Sequence, residues 1–243
     1  MEQIDTLLNG NKIIQDTDRF QFGIDAVLLS AFATPNIRAG DTVIDLGTGT
    51  GIIPLLLEHS TQAAAITGLE VQKASADMAA RSIALNNLEQ KIKIVEGDIK
   101  QVSALFSRHS FYAVISNPPY MINEHGRQNC SDAKTIARHE VLCTLEDVIS
   151  AADYLLLPHG KFFMIHRPFR LPEIFAAMAR HNLEPKVMRL VQPFEGKEPN
   201  MVLLEARKNA KSGIKIESSL AVRYKDGKHS GEYTTEILEM YKL

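Results

Sequence analysis

Short apolar runs alternate with longer amphipathic stretches over most of the chain, and this alternation predicts an α/β protein. The runs that predict strands cover residues 42–46, 64–70, 91–95, 111–116, 161–165, 187–191 and 201–205. The stretches that predict helices cover residues 25–35, 52–58, 75–87, 102–106, 144–157 and 173–180. Because strands and helices take turns along the chain, we expect a doubly wound, mostly parallel sheet with helices on both faces.

The two ends of the chain depart from this alternation. No helix is predicted between the last two strands, which therefore predict an antiparallel hairpin at one edge of the sheet. Residues 1–40 hold short extended pieces and one helix, and residues 209–243 show no clear pattern. We interpret residues 1–243 as a single domain with an N-terminal extension (1–40), a core (41–208) and a basic C-terminal segment (209–243).

A glycine-rich loop follows the first strong strand, with glycine at positions 47, 49 and 51. Glycines let the backbone approach a ligand closely and let a helix begin at once. A dinucleotide motif would need glycine in place of Ile52, and a P-loop would need Gly-Lys followed by Ser or Thr. The loop therefore favours a nucleoside ligand that lacks a pyrophosphate.

Acidic residues stand at the ends of the next two strands. Ligands of open parallel sheets bind at the carboxyl ends of the strands, so these side chains are expected on the same rim as the glycine loop. Glu70 ends the second strand, where a carboxylate can accept from ribose hydroxyls, and Asp98 follows the third, where it can accept from an adenine amino group. Either residue alone is more often a helix cap or a solvated loop residue.

The fourth strand ends in Asn117-Pro118-Pro119-Tyr120. The two prolines fix an extended backbone without N–H donors, which leaves one amide side chain, one carbonyl and one aromatic ring. Two acceptors and a flat face suit a planar amino group. The alternative is an ordinary turn at the end of a strand, because Asn-Pro is common in such turns.

Together, residues 43–51 and the motif at 117–120 resemble the first and fourth motifs of class I S-adenosylmethionine-dependent methyltransferases of the amino-group branch, over residues 40–163. The resemblance implies a Rossmann-like fold and S-adenosyl-L-methionine as cofactor. It implies that the methionine part contacts Asp45 and the glycines, the ribose contacts Glu70, and the adenine contacts Asp98. The implied cofactor-binding residues are Asp45, Gly47, Thr48, Gly49, Gly51, Glu70, Val71, Asp98, Ile99 and Asn117, and the implied catalytic residues are Asn117, Pro118 and Tyr120.

Methyl transfer is a direct displacement, in which the protein aligns the nucleophile and excludes water. We expect the Asn117 oxygen and the Pro118 carbonyl to accept from the reacting amine, and Tyr120 to stack on its ring. No dedicated general base is required.

Adenine N6 and the glutamine amide both present a planar nitrogen. Release-factor glutamine methyltransferases share the motif, but they carry a helical domain before the core, and only about forty residues precede it here. DNA adenine methylases usually need a separate target-recognition domain.

Segments 4–8, 13–16, 20–29 and 138–140 resemble bacterial tRNA(Val) adenine-N6 methyltransferases, which modify the adenine beside the anticodon. Ribosomal RNA methyltransferases and a non-catalytic S-adenosylmethionine-binding protein remain alternatives, the latter disfavoured by the intact motif.

Charge is distributed unevenly. The chain has a net charge of −2, yet residues 206–231 carry +5 and the remainder −7. We expect Arg127, Lys134, Arg138 and the basic segment to contact RNA phosphates. The alternative for each of these residues is a surface position that contacts only solvent.

Two cysteines give neither a disulfide framework nor a metal site. An acidic N-terminus and the lack of a long apolar run predict a cytoplasmic protein without a membrane segment. The sequence leaves the oligomeric state open.

Overall fold

The computed structural model describes residues 1–17, 22–119 and 143–242. Its strands are β1 (Glu2–Thr6), β2 (Lys12–Asp16), β3 (Thr42–Leu46), β4 (Ala65–Glu70), β5 (Ile92–Glu96), β6 (Phe111–Ser116), β7 (Leu156–His166), β8 (Leu183–Phe194), β9 (Met201–Lys208) and β10 (Lys215–Arg223). Its helices are α1 (Ile24–Ala33), α2 (Ile52–Ser60), α3 (Lys73–Leu85), α4 (Val102–Leu105), α5 (Leu145–Leu155), α6 (Leu171–Arg180) and α7 (Thr235–Met240).

Eight strands form one sheet in the order β10-β8-β9-β7-β6-β3-β4-β5. Strands β3 to β7 pair in parallel, whereas β9 is antiparallel to both β7 and β8. The chain runs outward from β3 through β4 to β5 and then returns to place β6 on the other side of β3. The strand order therefore reverses between β3 and β6, which opens a crevice at their carboxyl ends.

The predicted fold class, with its antiparallel hairpin, is confirmed. The hairpin consists of β8 and β9, and a further strand, β10, pairs in parallel with the outer side of β8. β10 lies in the segment for which the sequence predicted no element. Its pairing also explains why β8 is longer than the predicted 187–191 strand, because β8 has a hydrogen-bonding partner on each side.

Apolar side chains of the sheet pack against helices on both faces. Adjacent residues of β3 point to opposite faces, so that Val43 joins the cluster under α1 and α2, and Ile44 joins the cluster under α5 and α6. Leu28 and Leu29 of α1 are wholly buried in the first cluster. This helix lies in the predicted N-terminal extension, yet it is part of the core packing.

β1 and β2 form a separate antiparallel hairpin that is fastened to α3. The Ile14 N–H donates to Ser82 Oγ over 2.9 Å. The Asn86 side chain accepts from the Lys12 N–H (2.8 Å) and donates to the Lys12 carbonyl (2.7 Å). These bonds hold the N-terminal hairpin against the core.

Candidate active site

The glycine loop lies at the carboxyl end of β3, at the edge of the crevice. Gly47, Gly49 and Gly51 have φ of 78°, 57° and 86°, which favour glycine. A Cβ added at Gly47 or Gly49 would meet no atom within 4 Å, so the backbone there faces open space. A Cβ at Gly51 would lie 3.2 Å from the Ala79 Cβ, so this glycine lets α2 begin close to α3.

Glu70 holds the loop in place from the end of β4. Its Oε2 accepts from the Gly49 N–H over 2.9 Å, and its Oε1 accepts from the Gln72 N–H over 2.8 Å. The side chain is buried, with 6% of the residue surface exposed. Each oxygen therefore has one backbone donor and keeps a further lone pair, which is the capacity that ribose hydroxyls need.

Asp45 is a buried carboxyl group next to Thr48 and Glu70. Among the described residues neither carboxyl oxygen of Asp45, nor the Thr48 hydroxyl, has a hydrogen-bond partner. Burial raises the pKa of Asp45 to about 7, the neighbouring Thr48 hydroxyl opposes that rise, and the Glu70 charge adds to it. Such a group favours a cationic or hydrogen-bond-donating ligand.

Gly68 was missed by the sequence analysis, although a glycine inside a strand is a signal of close approach. A Cβ there would lie 2.8 Å from Thr48 Cγ2 and 2.9 Å from Ile94 Cδ1. Gly68 thus leaves the space that the loop residue Thr48 occupies. Gln72 was missed as well, and its contribution is a backbone N–H that no local pattern indicates.

Asp98 lies at the third strand end, as predicted. Its Oδ1 accepts from the Lys100 N–H over 2.9 Å and caps the 3-10 turn Ile99–Gln101. The residue therefore acts as a cap in this structure, while the carboxylate remains partly exposed. Val71 is 40% exposed and Ile99 is half-buried, which gives the rims of β4 and β5 apolar groups suited to the faces of a flat base.

Asn117, Pro118 and Pro119 directly follow β6, at the opposite side of the crevice from the glycine loop. Asn117 is half-buried and Pro118 is buried. Ser116, which the sequence analysis passed over, is wholly buried, and its hydroxyl donates to the Leu46 carbonyl over 2.9 Å. Tyr120, Arg127, Lys134 and Arg138 lie outside the described residues.

His166 ends β7, next to the motif. Ser116 pairs with Met164, so His166 lies two residues further along β7, level with Pro118. Its Nδ1 accepts from the Arg167 N–H over 2.7 Å. Burial, together with the charges of Arg170 and Arg167, lowers the pKa of His166 to about 4. The imidazole is therefore neutral at physiological pH.

The basic residues of the stretch 206–231 do not form one surface. Lys208 at the end of β9 is buried, and its Nζ lies 2.9 Å from Asp153 Oδ1, so it is not available to RNA. Because β9 is antiparallel to β7, Arg207 and Lys215 lie at the end of the sheet opposite the crevice. Arg223 lies at the carboxyl end of β10, which is on the crevice side of the sheet. The residues that follow Arg223 therefore start from that side.

The described part of the chain contains no group of three or more His, Cys, Asp or Glu side chains that could hold a metal ion. In the same residues, every helix is too short or too polar to cross a bilayer.

A switch-point crevice with a glycine loop, a carboxylate at the second strand end and an Asn-Pro-Pro segment at the fourth defines a class I S-adenosylmethionine-dependent methyltransferase. Residues 18–172 match the methyltransferase small domain family, and the chain belongs to that family. The predictions of a methyltransferase and of S-adenosyl-L-methionine as methyl donor are thereby confirmed.

Similar proteins agree with this class. The chain is 32% identical over 192 residues to a tRNA1(Val) (adenine(37)-N6)-methyltransferase from Porphyromonas gingivalis, covering 76% of this chain and 73% of that protein. It is 30% identical over 234 residues to a protein of the same name from Tolumonas auensis, covering 94% and 93%. Its fold resembles a predicted O-methyltransferase from Agrobacterium tumefaciens, with a TM-score of 0.69, 22% identity and coverage of 89% and 95%.

Proposed function

We propose that this protein transfers a methyl group to the exocyclic N6 of an adenine in tRNA, and that the target is adenine 37, beside the anticodon, of tRNA(Val). The observation that carries the proposal is the placement of Asn117 and Pro118 across the crevice from the glycine loop. Two acceptors at that point suit a planar amine. The names of both curated relatives support adenine N6 as the amine and tRNA(Val) as the substrate.

The residues at the ends of β3, β4 and β5 fit the cofactor. The Asp45 carboxyl lacks a partner among the described residues, and an ammonium group of the methionine part would supply one. Glu70 keeps lone pairs that would accept from the ribose hydroxyls. Val71 and Ile99 would contact the faces of the adenine, and Asp98 would accept from its amino group. When bound, S-adenosylmethionine supplies a methyl group on a positively charged sulfur, which makes the methyl carbon electrophilic.

The motif prepares the amine for this transfer. An adenine amino group is a weak nucleophile because its lone pair is delocalised into the ring. Acceptance of its two hydrogens by the Asn117 side-chain oxygen and the Pro118 carbonyl favours a pyramidal nitrogen and stabilises the positive charge that develops on it. Transfer would join the nitrogen to the methyl carbon as the carbon–sulfur bond breaks, and the nitrogen would then release one proton to solvent. Tyr120 would stack on the base.

An anticodon-loop base is unpaired and is extruded into a pocket at a low unstacking cost. We assign phosphate contacts to Arg127, Lys134 and Arg138, together with Arg223, Lys225 and Lys228 of the basic segment. A tRNA substrate would place the enzyme in the cytoplasm.

The test is methyl transfer from labelled S-adenosylmethionine to a tRNA(Val) transcript and to the same transcript with guanine at position 37, followed by nucleoside analysis. We expect N6-methyladenosine from the first transcript and no label in the second. Equal labelling of both transcripts would place the target elsewhere.

Parallel reactions separate the remaining candidates. If ribosomal RNA alone is labelled, the substrate is ribosomal RNA rather than tRNA. If methylglutamine appears in a release factor, the substrate is that protein. Cofactor binding without any methylated product would overturn catalysis.

A further inference from the structure

The pairing of β3 with β6 stops at the floor of the crevice. The backbone register pairs Asp45 with Ile115, so the following residues, Leu46 and Ser116, lie level with each other where the ladder ends. Beyond this point the strands part, because β3 turns into the glycine loop and β6 enters the Asn117 motif. The two prolines of the motif lack N–H groups, so they cannot extend the ladder.

The Ser116 hydroxyl joins the two strands one position beyond their backbone pairing. Its Oγ donates to the Leu46 carbonyl over 2.9 Å, and the residue is wholly buried. Loss of the donor to a buried carbonyl destabilises the protein, because the carbonyl is then neither hydrogen-bonded nor solvated. This bond therefore resists any widening of the crevice floor.

Each end of this bond is one residue from a part of the proposed site. Leu46 precedes Gly47, and the N–H groups of Gly47 and Thr48 both donate to the Leu69 carbonyl, over 2.9 and 3.0 Å. Ser116 precedes Asn117. A displacement reaction needs the nitrogen, carbon and sulfur close to one line, so a small change in this separation lowers the rate.

We infer that Ser116 is a positioning residue that sets the separation between the amine-binding motif and the cofactor loop. The inference rests on the proposed function, because it takes Asn117 as the residue that binds the amine. It adds a residue whose effect is on the alignment of the two substrates rather than on the affinity for either.

Ser116→Ala tests the inference, and Ser82→Ala is its matched control. Ser82 is also wholly buried, and its hydroxyl donates to the Met78 carbonyl over 2.8 Å, but it lies under the N-terminal hairpin. The measurements are kcat and KM on tRNA, the Kd for S-adenosylmethionine by calorimetry, and Tm. For Ser116→Ala we expect kcat to fall roughly tenfold or more, with Kd changed by less than about twofold. Ser82→Ala should lower Tm and leave kcat unchanged.

Two further variants keep the test decisive if Ser116→Ala does not fold. Ser116→Thr keeps the hydroxyl and should retain most of kcat, whereas Ser116→Cys, a weaker donor, should lie between alanine and the wild type. A kcat that equals the wild-type value, or that falls in proportion to Tm in both alanine variants, overturns the assignment. A wild type that methylates no RNA overturns the proposed function, and this assignment falls with it. An active wild type matched by Ser116→Ala overturns the role of Ser116 alone.

Discussion

The crevice has a cofactor half, formed by the ends of β3, β4 and β5, and a substrate half, formed by the ends of β6 and β7. The cofactor half is held by backbone donors: Gly49 and Gln72 donate to the Glu70 carboxylate, and Gly47 and Thr48 donate to the Leu69 carbonyl. The substrate half presents the Asn117 amide and the Pro118 carbonyl directly after β6, and Pro118 and Pro119 have no backbone N–H to donate.

This difference predicts a division of kinetic effects. Several bonds fix the cofactor loop, so changes there should act mainly on cofactor affinity. The substrate half offers few groups to a developing charge, so a change there should act on the rate of the chemical step.

The largest expected effect is from Asn117→Ala. Loss of one of the two acceptors should lower kcat roughly a hundredfold to a thousandfold, because the acceptor strengthens its bond as charge develops on the nitrogen. Methyl-transfer kinetics, with cofactor affinity measured separately, check this. Asn200→Ala is the control, since Asn200 is exposed and its backbone carbonyl, rather than its side chain, accepts from Arg167. If the cofactor Kd rises by the same factor as kcat falls, the two halves do not differ in their kinetic effects.

The next effect should be that of Glu70→Ala on the cofactor half. Loss of the acceptor for the Gly49 and Gln72 N–H groups and for the ribose should raise the cofactor Kd roughly tenfold to a hundredfold. Glu96→Ala is the matched control, because Glu96 pairs level with Glu70 on β5 and is exposed. Calorimetry distinguishes the two variants. Equal Kd values for both would show that the Glu70 carboxylate does not organise the loop.

A smaller effect should come from pH acting on Asp45, whose pKa is raised to about 7 by burial. The folded state binds this proton more tightly than the unfolded chain, so its contribution favours folding at low pH and is lost as pH rises from about 4 to about 7. Ionised Asp45 should attract the cofactor ammonium, so affinity should rise roughly tenfold between pH 6 and pH 8. Asp45→Asn should flatten both profiles. A pH-dependent affinity that persists in Asp45→Asn would assign the titration to another group.

The smallest effect should come from charge reversal in the basic segment. The prediction compares charge reversals at the two ends of that segment. Lys225→Glu with Lys228→Glu, on the crevice side, should weaken tRNA binding a few-fold and reduce the salt dependence of the affinity. Lys211→Glu with Lys215→Glu makes the same charge change at the opposite end of the sheet, about 26 Å away along β10. Filter binding at several salt concentrations compares the pairs. Equal losses would show that the RNA responds to net charge rather than to position.

Local chemistry made much of the site predictable. Glycines, prolines and strand-ending acids act through their own backbone or side chain, so Gly47, Glu70 and the Asn117 motif could be placed at the ends of β3, β4 and β6 from their order alone. Asp98 was also placed correctly, but the cap that it makes shows that position in sequence does not decide which acceptor is free for a ligand.

The sequence by itself determined the order of strands and helices from β3 to β9, the glycine loop and the Asn-Pro-Pro segment, because each depends on neighbouring residues. Only the tertiary structure decided that β10 extends the sheet, that Lys208 is buried, and that Ser116 contacts Leu46. It also decided that Asp45 is buried without a partner among the described residues and that its pKa is raised. These properties depend on which strands become neighbours. That choice comes from the packing of the whole sheet, so no local pattern contains it.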